Sequence, residues 1–106
     1  MERPNLDYIK EISGGNEEFE KRFLTIIQNE FPKEKTEYIT QMDGDNLEES
    51  ATIVHKIKHK LGILGLHEGY RLAIKYEEDL KYGDTKLKDE FNEILTSVEE
   101  IISNIA

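Results

Sequence analysis

Apolar residues return every three or four positions along almost the whole of this 106-residue chain. Nowhere do β-branched residues alternate at the two-residue period of a strand. That pattern restricts the fold to packed amphipathic helices. Gly14-Gly15, Asp43-Gly44-Asp45 and Gly83-Asp84 are turn signals that cut it into segments. No linker-like stretch, internal repeat or low-complexity tract divides the chain, and its length suits one hydrophobic core, so one domain over 1–106 is expected.

Asn5 to Ser13 sets Leu6, Ile9 and Ile12 at helical spacing and stops at the glycine pair, which predicts a short capping helix. The next helix starts at Asn16, an N-cap residue type followed by Glu17 and Glu18, and Phe19, Phe23, Ile26, Ile27 and Phe31 form its core stripe. Pro32 should kink or restart it, yet Tyr38, Ile39 and Met42 resume the pattern, giving one long, interrupted helix to about Met42. A third helix is expected over about Asn46 to Leu64, a fourth over about His67 to Tyr82 and a fifth over about Thr85 to Asn104. Leu72, Ile74, Tyr76 and Leu80 mark the apolar face of the fourth, and Leu87, Phe91, Ile94, Leu95, Val98, Ile101 and Ile102 that of the fifth. Four such helices joined by short turns predict an all-α, antiparallel up-and-down four-helix bundle behind the short N-terminal capping helix.

The charged fraction is 35% and the net charge −9, a balance that suits helices with solvated outer faces and disfavours nucleic acid or anionic lipid as partners. There is no cysteine, no signal-like N-terminus and no apolar run long enough to cross a bilayer, so no membrane association and a cytoplasmic location are expected. The acidic runs Glu17-Glu18, Glu48-Glu49, Glu77-Glu78-Asp79 and Glu99-Glu100 are expected to be solvated helix faces.

The third helix carries the chemistry. With about 100° per residue, Leu47, Val54, Ile57, Leu61 and Leu64 gather on one side and His55 points away from them. Glu48, Thr52, His59, Gly62 and Leu66 share the side of His55, with Lys58 one turn on and toward the flank. Glycine within a helix costs about 1 kcal/mol relative to alanine. Gly62 has a reason to be there, because it removes a side chain that would stand over the imidazole and keeps the face open to another protein. Gly65 eases helix packing. Histidine has an unperturbed pKa near 6.5, so much of it is neutral and nucleophilic at pH 7. An exposed imidazole with the Lys58 ammonium one turn away suits a nucleophile that accepts a phosphoryl dianion. No glycine-rich phosphate loop or nucleotide signature accompanies it, so the chain is not expected to be a kinase in its own right.

The run Val54-His55-Lys56-Ile57-Lys58-His59-Lys60-Leu61-Gly62-Ile63-Leu64-Gly65-Leu66 resembles the motif of histidine-containing phosphotransfer (HPt) domains. That motif has an acceptor histidine, a lysine three residues on, and small residues seven and ten residues after the histidine. His55, Lys58, Gly62 and Gly65 fall on those positions, and the order of helices around them is also similar over nearly the whole chain. The resemblance implies a relay intermediate: His55 takes a phosphoryl group from the phosphoaspartate of one receiver domain and gives it to the aspartate of another. The partners implied are response-regulator receivers and a hybrid sensor histidine kinase. The receiver brings Mg²⁺, so no cofactor is expected on this chain, and a monomer is expected. His59 departs from the family, which has a small residue there.

Two other readings stand beside this one. His55 and His59 are four residues apart on one helix face, a spacing at which two imidazoles share a metal ion, although the remaining histidine, His67, lies beyond both glycines. Alternatively the face is that of a non-catalytic helical adaptor. For Lys56 and Lys60 a solvated basic stripe is expected, and a receiver docking surface would comprise His59, Gly62, Leu66 and Glu48 around His55.

Overall fold

The computed structural model describes residues 2–104. It is all-helical, with no strand among the described residues: α1 Asp7–Ser13, α2 Glu17–Asp43, α3 Leu47–Ile63, α4 His67–Lys81 and α5 Lys88–Ser103. α2 packs against α3 and α5, α4 packs against the same two helices, and α1 lies on α2. None of these helices is long and apolar enough to cross a membrane.

The helices begin and end where local chemistry directs. The Asn16 side chain accepts the Phe19 amide at 3.1 Å, satisfying one of the free N–H groups of the first turn of α2, whose acidic residues also suit the positive end of the helix. At the end of α3 the Leu66 amide reaches back to the Leu61 carbonyl at 2.9 Å and the Gly65 amide to Gly62 at 3.2 Å. This closure requires a left-handed residue between helix and chain exit, and Gly65 supplies it with φ +76°. α4 closes the same way around Gly83, and α2 around Asp45, whose φ of +60° is the one positive value among the described non-glycine residues. Gly65 is therefore a helix-stopping residue in the α3–α4 turn rather than a packing glycine within a helix.

α2 runs through Pro32 as a single continuous helix, so the expected interruption is absent. Its two halves are held to the same core by Leu24, Ile27 and Phe31 before or beside the proline and Tyr38 and Met42 beyond it. The stripe is rotated from the one expected. Phe19, Ile26 and Ile39 are exposed, and Leu24 turns inward. With about 100° per residue, Phe19 and Ile26 lie far round the helix from the stripe that Leu24, Ile27 and Phe31 define.

The middle of the core is aromatic. Tyr76, from the apolar face expected for the fourth helix, is fully buried with Tyr38 and Phe91, their ring centroids 5.0–6.3 Å apart. Their polar tips satisfy one another. The Tyr38 hydroxyl donates to Asn92 Oδ1 at 3.1 Å, which leaves the Tyr76 hydroxyl to donate to Tyr38 across 2.6 Å. Burial raises the pKa of both phenols. This cluster ties α2, α4 and α5 together.

Candidate functional site

The buried side of α3 is set by Ser50, Ala51, Ile53, Val54, Ile57, Lys58 and Leu61, which turns His55 outward with 52% of its side chain exposed. The outward placement read from the helical wheel holds. Thr52 and Glu48 precede it on the same face, and both border a shallow depression with His55, Glu77 and Lys81.

Lys58 and Glu77 differ from expectation. Lys58 is not a free helper on the surface: 11% of its side chain is exposed, and its Nζ donates to Glu77 Oε1 at 3.1 Å. Glu77 is not part of a solvated acidic face, since only 14% of its side chain is exposed. It lies on the inward stripe of α4, one turn after Ala73 and before Leu80, as Lys58 lies between Val54 and Leu61 on α3. Each helix carries one charge on its apolar side, and the two meet where α3 and α4 pack. Lys81, one turn beyond Glu77, adds a longer contact of 3.7 Å to Oε2.

Glu77 also holds the imidazole. Both of its oxygens approach His55 Nδ1, at 3.1 and 3.2 Å. Burial by itself would raise the Glu77 carboxyl pKa, but the hydrogen bonds and charges of Lys58 and His55 outweigh it and hold the group below the ordinary carboxylate value. Glu77 is thus ionised near neutrality and can only accept. A carboxylate facing Nδ1 favours the tautomer with the hydrogen there, and the lone pair of that neutral ring falls on Nε2, the nitrogen remote from Glu77. Lys58 Nζ lies 3.2 Å from the same Nδ1. In the tautomer that Glu77 favours, the ammonium cannot donate to Nδ1, and its bond is the one to Glu77.

The remaining expected residues fall in different places. His59 stands beside His55, exposed, with ring centroids 5.0 Å apart and planes at 89°. Gly62 does not leave an open face: a Cβ there would stand 3.2 Å from Cδ2 of Tyr70, so the glycine makes room for that ring against α3. Leu66 is not a docking residue, because the closure at Gly65 turns it into the core, where it is buried against the start of α4. Ile74, exposed and one turn from both Tyr70 and Glu77 on α4, is the apolar side chain that stands out instead. Lys60 is not a solvated stripe residue either. It reaches across to Glu30 and Glu34 of α2, each at 3.1 Å.

No group of three or more histidine, cysteine, aspartate or glutamate side chains is set to hold a metal ion among the described residues, so the His55–His59 pair gains no third ligand there. The arrangement that is present offers an exposed imidazole held at Nδ1 by a largely buried carboxylate, which is itself paired with an ammonium. No family model, no curated protein and no solved structure matches the chain.

Proposed function

We propose that this chain is a histidine-containing phosphotransfer domain, an antiparallel up-and-down four-helix bundle of α2 to α5 capped by α1, with His55 Nε2 as the phosphoryl acceptor. The observation that carries this reading is the hold of Glu77 on His55 Nδ1, which favours the tautomer with its lone pair on the other nitrogen of an exposed ring. The resemblance of the His55-to-Leu66 run to the family's motif points the same way.

In the proposed step Nε2 attacks the phosphorus of a receiver's aspartyl phosphate. The N–P bond forms as the P–O bond to the aspartate breaks, and that electron pair stays with the leaving carboxylate. Nδ1 keeps its proton, so the ring becomes positive as it is phosphorylated, and the charge faces the Glu77 carboxylate. Lys58 acts through Glu77, keeping it ionised, rather than by touching the phosphoryl group. Return to a second receiver reverses the same bonds. Mg²⁺ would be the receiver's, and the donor receiver would belong to a hybrid sensor kinase.

The docking surface proposed is the outer face around the α3–α4 seam: His55, His59 and Glu48 on α3 with Tyr70 and Ile74 on α4. Contacts of this kind must release, which suits an interface of under about 1,200 Å². Incubation with a phosphorylated receiver and Mg²⁺ tests the function. Acid-labile, base-stable label should pass to the wild type and to His59→Gln but not to His55→Gln. Binding of the receiver with no label on any of the three proteins would instead mark an adaptor.

A further inference from the structure

The proposed chemistry leaves one neighbour of His55 without a task. His59 lies one helical turn on, edge-to-face with the His55 ring. Its side chain is exposed, and no hydrogen bond or ion pair with a described residue engages its ring nitrogens. The lysines around it are otherwise engaged. Lys58 is held by Glu77 on the Nδ1 side, Lys81 faces Glu77, and Lys60 turns to Glu30 and Glu34. Lys56, exposed, points about a hundred degrees round the helix from His55. The paired carboxylates facing this stretch of α3 are Glu30 and Glu34 from α2 and Glu77 from α4, each already matched by a lysine.

A phosphoryl group on Nε2 would sit on the ring nitrogen that contacts neither Glu77 nor Lys58, on an imidazole whose centroid is 5.0 Å from that of His59. We propose that His59, in its protonated form, donates a ring N–H to the phosphoryl oxygens arriving at His55, and so takes the part that the sequence motif assigns to Lys58. The proposal rests on His55 being the acceptor. It explains why a side chain as large as imidazole stands where the family has a small one. An imidazole changes charge between pH 5 and 8, so this assistance is present at the acid end of that range and fades toward the alkaline end.

Phosphoramidate, a small donor that needs no partner protein, provides the test. Nε2 attacks its phosphorus, the donor's P–N bond breaks, and the protonated amine leaves as ammonia. The rate of labelling at His55 is followed for wild type, His59→Gln and His59→Lys at pH 6 and pH 8.5, the label being located by peptide mapping, with His55→Gln as the control. Wild type should react about five-fold faster than His59→Gln at pH 6, the scale of an exposed charge interaction, and the ratio should fall towards one at pH 8.5. His59→Lys, charged throughout, should keep the advantage at both. Ratios cancel the titration of the donor, which all three proteins share, and rates are compared per neutral His55 ring, because a charge at position 59 also acts on that ring. Equal rates at pH 6, or a ratio that does not change with pH, would overturn the role of His59 while leaving His55 as acceptor. Absence of label at His55 would overturn the acceptor reading itself.

Discussion

One oxygen of Glu77, Oε1, lies 3.1 Å from His55 Nδ1 and 3.1 Å from Lys58 Nζ, so a single carboxylate on α4 holds both charged-capable side chains of the α3 motif. Replacing Glu77 by Gln removes the charge that favours this His55 tautomer and leaves the Lys58 ammonium without its counter-ion. Partners of this orienting kind are worth about 10- to 100-fold where they have been removed beneath metal-bound histidines. A loss of roughly tenfold in the rate of phosphoryl acceptance is expected. Two-bond ¹H–¹⁵N correlations should show the His55 hydrogen on Nδ1 in the wild type and shared between both nitrogens in Glu77→Gln.

The same carboxylate makes stability depend on pH in a defined direction. Its pKa in the folded protein lies below the ordinary value, so the unfolded chain takes up the proton first as the solution is acidified. The stabilisation is complete above the unfolded value of about 4.3 and is lost as pH falls through the folded value. Denaturant unfolding of wild type and Glu77→Gln should differ most near pH 6–7, and the two curves should converge below about pH 4. A gap that stays constant down to pH 3 would contradict the Lys58–Glu77–His55 linkage.

The two glycines of the motif should behave differently. At Gly62 an alanine gains about 1 kcal/mol of helix propensity but presses on the Tyr70 ring at 3.2 Å. The two effects are opposed, and Gly62→Ala should change stability by less than about 1 kcal/mol. At Gly65 the backbone is left-handed and a Cβ would run into the Asn5 side chain. Gly65→Ala should therefore destabilise by about 1–2 kcal/mol, measured in the same unfolding experiment.

The buried tyrosines allow an asymmetric test of hydrogen-bond direction. Tyr76→Phe removes a donor, and Tyr38 keeps its bond to Asn92. Tyr38→Phe removes the acceptor for Tyr76 and the donor for Asn92 together, leaving Tyr76 the weak Met42 sulfur at 3.8 Å. Tyr38→Phe should cost roughly 1–3 kcal/mol and Tyr76→Phe nearer 1. Equal costs would mean that the bonds run the other way.

The limits of helices, the outward turn of His55 and the capping role of Asn16 were legible from the sequence because each depends on residues close together in the chain. The Lys58–Glu77 pair was not, because it joins two helices read one at a time. The clue lay in each helix separately: a lysine between Val54 and Leu61, and a glutamate between Ala73 and Leu80, both on stripes that should be apolar. Opposite charges on two inward stripes have each other as the natural partner. Leu66 was misplaced for a related reason. A wheel drawn through Gly65 assumes helix where the chain has turned left-handed, so Leu64 is still placed correctly on the buried side but Leu66, beyond the turn, is assigned to the wrong one.

The central claim concerns one atom, and one spectrum reads it. The chain, labelled with ¹⁵N in its histidines, is phosphorylated by a receiver and Mg²⁺, and the phosphorus is correlated with the ring nitrogens. Coupling of phosphorus to Nε2 of His55, with Nδ1 still bonded to hydrogen, is the expected result. Coupling to His55 Nδ1, or to a nitrogen of His59, would contradict the account, because the Glu77 contact would then not be what selects the reacting nitrogen.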